Sequence, residues 1–212
     1  MSTNRLVTGS ALPGAGAGVE GNARLTSTNG MVLLVLLAVE GFTILSVRRM
    51  ITLHVFLGIL LLGPVLLKSG STMYRFARYY RRAPLYLAKG PPHPLLRLLG
   101  PLVIVASLTM LGTGVALIAL TPAHTDLLLS AHKVSVIIWF PLMTVHVLGH
   151  LREAAVKSWR ELRGPTHGPP TRGRGLRIIL IAVALILGVA TATALMPIAA
   201  PWTTGTAGRQ DR

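Results

Sequence analysis

Five long apolar runs, at residues 31–47, 51–67, 98–120, 127–150 and 176–196, alternate with short or strongly basic polar stretches. Each is close to the ~20 helical residues that cross ~30 Å of hydrocarbon. They predict an all-α integral membrane protein, a bundle of about five transmembrane helices over residues 29–198. The first run begins only at Met31 and no small-residue cleavage site follows it, so its helix is expected to stay in the mature chain. Residues 1–28, as in "GSALPGAGAGVEGN", are rich in Gly, Ala, Ser and Thr without an apolar period and read as a disordered tail; residues 199–212 read as a second tail.

Composition strengthens the membrane assignment. Hydrophobic residues make up 51% of the chain and charged ones 13%, and mean hydropathy is +0.61. A soluble domain of 212 residues could not hide that much apolar surface. The absence of cysteine excludes disulfides, thiolate metal sites and iron–sulfur clusters. The net charge of +15 would suit nucleic acid, but the basic residues lie beside the spans and no nucleic-acid-binding motif accompanies them. Anionic lipid headgroups are the better partner.

Charge also orients the chain. Lys68, Arg75, Arg78, Arg81, Arg82, Lys89 and Arg97 follow the second run, and Arg152, Lys157, Arg160, Arg163, Arg172, Arg174 and Arg177 follow the fourth. The positive-inside rule puts both loops in the cytoplasm, with the N-terminus inside and the C-terminus outside. Arg48 and Arg49, in an outer turn, break that rule. The segment "STMYRFARYYRRAPLYLAKGPPHP" suits a short interfacial helix followed by an extended loop.

The candidate chemistry lies in histidines within the apolar runs, where an ionisable side chain is costly and needs a partner or a cavity. On the fourth helix His132, His146 and His150 fall within about 40° of one face, and His132 and His146 are about 21 Å apart along the axis. His54, on the second helix, lies at the same depth as His132, near the outer face. Two imidazoles at one depth on different helices can approach a flat cofactor from opposite sides, and imidazole is a common axial ligand of haem iron. Gly58, Gly112 and Gly114 would leave room for a macrocycle, and Arg48, Arg49 and Lys133 lie at the right level to neutralise its propionates. His146 sits at the depth of a second, inner site, but Lys68 stands 14 residues beyond His54, where a matching histidine would be. His150, His93, His167 and Met73 are the other candidates for its second ligand. His146 and His150 are also spaced to share a metal ion such as zinc. Glu40, the carboxylate inside a predicted span, either exchanges protons beside a quinone or haem or bonds a neighbouring helix.

With "LHVFLG" around His54 and "HKVS" and "HVLGH" on the fourth helix, the chain resembles the b-type cytochromes of bacterial membranes, the broad group of cytochrome b-like and ferric-reductase-like transmembrane domains. The stretch "TLHVFLGILLLGPVLLKSGSTMYRFARYYRR" is similar to small actinobacterial members of it. The resemblance covers about residues 30–150. It implies a four-helix haem-binding core plus one helix in the bacterial inner membrane, one haem b with room for a second, and electron transfer involving a quinone or a partner redox protein. It implies His54 and His132 as outer-haem ligands and His146 as an inner one, with Lys68 departing from the two-haem pattern. No nicotinamide or flavin domain is present, so the chain is expected to carry electrons as a subunit, with catalysis left to a partner. The competing expectation is a non-haem membrane protein, a carrier or a structural subunit, whose histidines only bridge helices.

Overall fold

The structure is a computed structural model that describes residues 17–88, 94–120, 125–163 and 173–204. These residues form helices α1 (Ala17–Ile44), α2 (Val47–Leu60), α3 (Leu62–Tyr80), α4 (Pro84–Ala88), α5 (Pro94–Ala119), α6 (Asp126–Arg163), α7 (Arg174–Leu195) and α8 (Ala200–Thr203), with no strand among them. Five helical stretches are long and apolar enough to cross a membrane: α1, α2 with α3, α5, α6 and α7. The chain is a multi-pass, all-α membrane bundle. Large apolar side chains such as Phe42, Val105, Ile137, Leu148 and Ile186 point outward, as lipid-facing positions do.

α1 lies at the centre, packed on α2, α3 and α6; α5 pairs with α6, and α7 lies along α2 and α3. Its start differs from expectation. Residues 17–28, assigned to the tail on composition, are the first turns of α1. Their small and polar side chains make contacts between helices: Asn22 Nδ2 donates to the Ser71 carbonyl at 3.1 Å, and Thr26 and Ser71 hydroxyls are 2.9 Å apart. Within a membrane, small and hydroxyl-bearing residues are interface formers, because they admit close backbones and bond across helices. Polar composition therefore did not mean an unfolded segment.

The second span breaks at Leu61, three residues before Pro64, into α2 and α3. Pro64 has no N–H to give the Leu60 carbonyl, and that carbonyl faces α7. A Cβ on Gly188 would lie 2.3 Å from Leu60 O, and a Cβ on Gly63 would lie 2.1 Å from Ala184 O. Backbone, not a flexible side chain, occupies both positions. Gly63→Ala and Gly188→Ala are therefore each expected to push α7 away and cost about 1–3 kcal/mol, the usual range for overpacking. Thermal unfolding in detergent checks this; an unchanged midpoint in both variants would refute the contact. The fifth span is thus an integral side of the bundle.

α3 and α6 also run past the apolar stretches that announced them, to Tyr80 and Arg163. Arg75, Arg78, Arg152, Lys157, Arg160 and Arg163 consequently lie on helices, and the expected interfacial helix is mostly the end of α3 followed by the short α4. Arg97 stacks over Tyr79 and Tyr80 at 5.7 and 5.4 Å from the ring centroids. α8 forms within the predicted C-terminal tail, and Trp202 Nε1 donates to the Leu120 carbonyl at 3.1 Å. Lys89, Arg172 and residues 205–212 lie outside the described residues.

One end of the bundle is clamped by ions. Glu161, 1% exposed at the end of α6, receives Arg177 of α7 at 2.7 Å and Arg24 of α1 at 3.4 Å. Arg174 adds hydrogen bonds to the carbonyls of Glu161 and Leu162 at 2.7 and 2.8 Å. The start of α1, the end of α6 and the start of α7 therefore share one end, with the basic stretches. The histidine pair lies toward the other.

Candidate functional site

α1 ends at Ile44 and the chain turns through Leu45 and Ser46 into α2, with Met50 off helical geometry in its first turn. This reversal lays the last turns of α1 against the start of α2. Glu40 and Thr43 of α1 thereby meet His54 of α2: His54 Nδ1 is 2.8 Å from Glu40 Oε1 and 3.0 Å from the Thr43 hydroxyl. Glu40 is buried and Thr43 fully so. Thr43 in turn donates to the Glu40 carbonyl at 2.6 Å, which fixes its own rotamer.

His132 reaches the same place from α6. Its Nδ1 lies 3.1 Å from the Met110 carbonyl and 3.0 Å from the Thr113 hydroxyl, both on α5. Gly114 makes room for it, since a Cβ there would stand 3.2 Å from His132 Cε1. The two imidazoles face each other with centroids 6.5 Å apart and planes at 73°. Both rings are held at Nδ1 by an acceptor on a neighbouring helix, and among the described residues no hydrogen bond reaches either Nε2.

That arrangement suits metal ligation. A ligating histidine normally gives its other ring N–H to a carboxylate or backbone carbonyl, which sets tautomer and orientation. Two imidazoles on one iron, with metal–nitrogen bonds near 2 Å, have facing nitrogens about 4 Å and centroids about 6 Å apart. The observed centroid spacing of 6.5 Å fits this, and so does the donor set, two imidazole rings from different helices.

No family model matches the chain, nor does any curated protein or solved structure. The resemblance to b-type cytochromes thus stands on the quoted motifs, and the chemistry stands on the geometry.

Other expected contributors are placed differently. Gly58 adjoins Glu40, with a Cβ there 3.8 Å from Oε1, and Gly112 borders open space. Of the three glycines it is Gly114 that lies against a histidine of the pair. Arg48, Arg49 and Lys133 are exposed and have no carboxylate partner among the described residues. Arg49 lines an open pocket of ≈ 480 Å³ with Met50, Thr52, Leu53, Phe56 and Met196. Neither His54 nor His132 lines it.

Among the described residues the inner half brings together no second histidine pair from different helices. His146 has His150 of its own helix beside it, centroids 4.9 Å apart, and its Nδ1 is buried without a hydrogen-bond partner. Among the described residues no three His, Cys, Asp or Glu side chains converge on a metal position. Lys68 is within α3, where it lies over Gly30 and donates to the Thr26 carbonyl at 3.0 Å. Met73 is exposed on α3, and His93, His124 and His167 lie outside the described residues. His150 does not end its helix, which continues to Arg163.

Sequence inspection missed the acceptors. Glu40 was visible as a carboxylate in an apolar run, but its partner depends on the turn at Leu45 and Ser46. Thr43, Thr113 and the Met110 carbonyl gave no signal, because hydroxyls and carbonyls are everywhere in such helices.

Proposed function

We propose that the protein is a b-type haem-binding electron-transfer subunit of the bacterial inner membrane, in which His54 and His132 would hold the haem iron. The observation that carries this is the facing pair itself: two imidazoles from different helices, 6.5 Å apart, each anchored at Nδ1. When bound, haem supplies reversible one-electron chemistry. The chain's residues hold the rings in one tautomer, exclude water through the surrounding helices and present Arg48, Arg49 and Lys133 at the outer rim for the propionates. The clamped, basic end faces the cytoplasm by the positive-inside rule and meets anionic headgroups. The outer site exchanges electrons with a quinone or a partner redox protein. An inner haem on His146, with His150 or another second ligand, has no comparable support.

A reduced-minus-oxidised difference spectrum of purified protein tests the reading, with a low-spin b-type signal expected. The second reading rests on the same hydrogen bonds, His54 to α1 and His132 to α5, as plain bridges between helices in a carrier or structural subunit. A colourless, monodisperse preparation from cells with ample haem would favour that one.

A further inference from the structure

The two imidazoles are held by unlike acceptors. His132 gives its Nδ1–H to a neutral carbonyl, that of Met110 at 3.1 Å. His54 instead faces a carboxylate, Glu40 Oε1 at 2.8 Å, on a different helix and screened from water by the bundle. Thr43 holds both members of this second pair, touching the Glu40 carbonyl at 2.6 Å and His54 Nδ1 at 3.0 Å. A carboxylate within an apolar helix is expensive to keep. Simple bridging of α1 to α2 needs only the Thr43 hydroxyl, which already reaches the ring. The charge is therefore the feature that bridging leaves unexplained.

We propose that Glu40 is the positioning residue of the His54 ligand: its carboxylate orients the ring so that Nε2 faces the iron, and its negative charge makes His54 the more electron-donating of two unequal ligands. This rests on the haem reading above. A hydrogen bond from a ligating imidazole to a carboxylate raises the basicity of the ligand, and a nearby negative charge favours the higher-charged ferric state. The outer site accordingly works at a lower potential than two carbonyl-bonded histidines would give, and it can pass electrons on to weaker acceptors. Burial and hydrogen bonding around axial ligands are the means by which a protein sets such a potential.

The test is a redox titration of the full-length protein in lipid nanodiscs, comparing wild type, Glu40→Gln and Thr43→Val. Glutamine keeps an amide oxygen for the Nδ1–H and removes the charge. Glu40→Gln is expected to retain haem and to shift the ferric-to-ferrous ratio at a fixed potential about tenfold toward ferrous, or ~59 mV for one electron. Thr43→Val, which keeps the charge, is expected to shift it less than twofold. A haem-loaded Glu40→Gln with the wild-type potential would overturn the role of Glu40 and leave the haem reading standing. A wild type that binds no haem would overturn both. Should Glu40→Gln fail to fold, near-infrared magnetic circular dichroism of wild-type ferric protein decides: a charge-transfer band displaced from the ordinary bis-imidazole position supports the unequal pair, and a band at that position refutes it.

Discussion

His54→Ala and His132→Ala should each lose the haem signal, with affinity falling at least about 100-fold, since even the outer partners of ligating histidines are worth 10–100-fold. The remaining imidazole is expected to hold the cofactor too weakly to survive purification. Adding haem together with free imidazole to either alanine variant is expected to restore a low-spin spectrum, because the side chain removed leaves a ring-sized space. A merely structural histidine would show no such rescue. His146→Ala should keep the full outer signal, since His146 lies about 21 Å along α6 from His132.

The second large effect lies at the other end. Glu161 is 1% exposed and faces Arg177, 8% exposed, at 2.7 Å. Removing one partner of a buried pair strands the other charge, which costs about 3–5 kcal/mol. Glu161→Ala is expected to lower the thermal midpoint sharply and to loosen the start of α1, exposing residues 17–28 to protease through loss of the Arg24 contact at 3.4 Å. The paired change Glu161→Met with Arg177→Met should recover much of the loss, because no unpaired charge remains. If Glu161→Ala unfolds like wild type, the clamp does not hold the three helices.

These two sites mark what could be read without coordinates. The five spans were legible because lipid imposes length and apolarity on every residue in them. His54 and His132 were legible as a pair because equal depth on two helices that both run inward follows from counting residues from the outer turn that precedes each. Residues 17–28 were misjudged, because hydropathy scores Asn22 and Thr26 as polar while the helix interface uses them as contacts. The continuation of α6 beyond His150 was hidden by its charges, which are read as a loop although Glu153 and Lys157 pair one turn apart at 2.5 Å. Glu161, Arg24 and Arg177 are far apart in sequence, and no local pattern joins them. No local pattern announced that Leu60 and Gly63 would meet α7 through bare backbone.

The ratio of haem to protein in purified wild type, beside His54→Ala and His146→Ala, tests the central claim most directly. One haem per chain is expected in wild type and in His146→Ala, and essentially none in His54→Ala. A ratio near zero in wild type, or one that His54→Ala leaves unchanged, would contradict it.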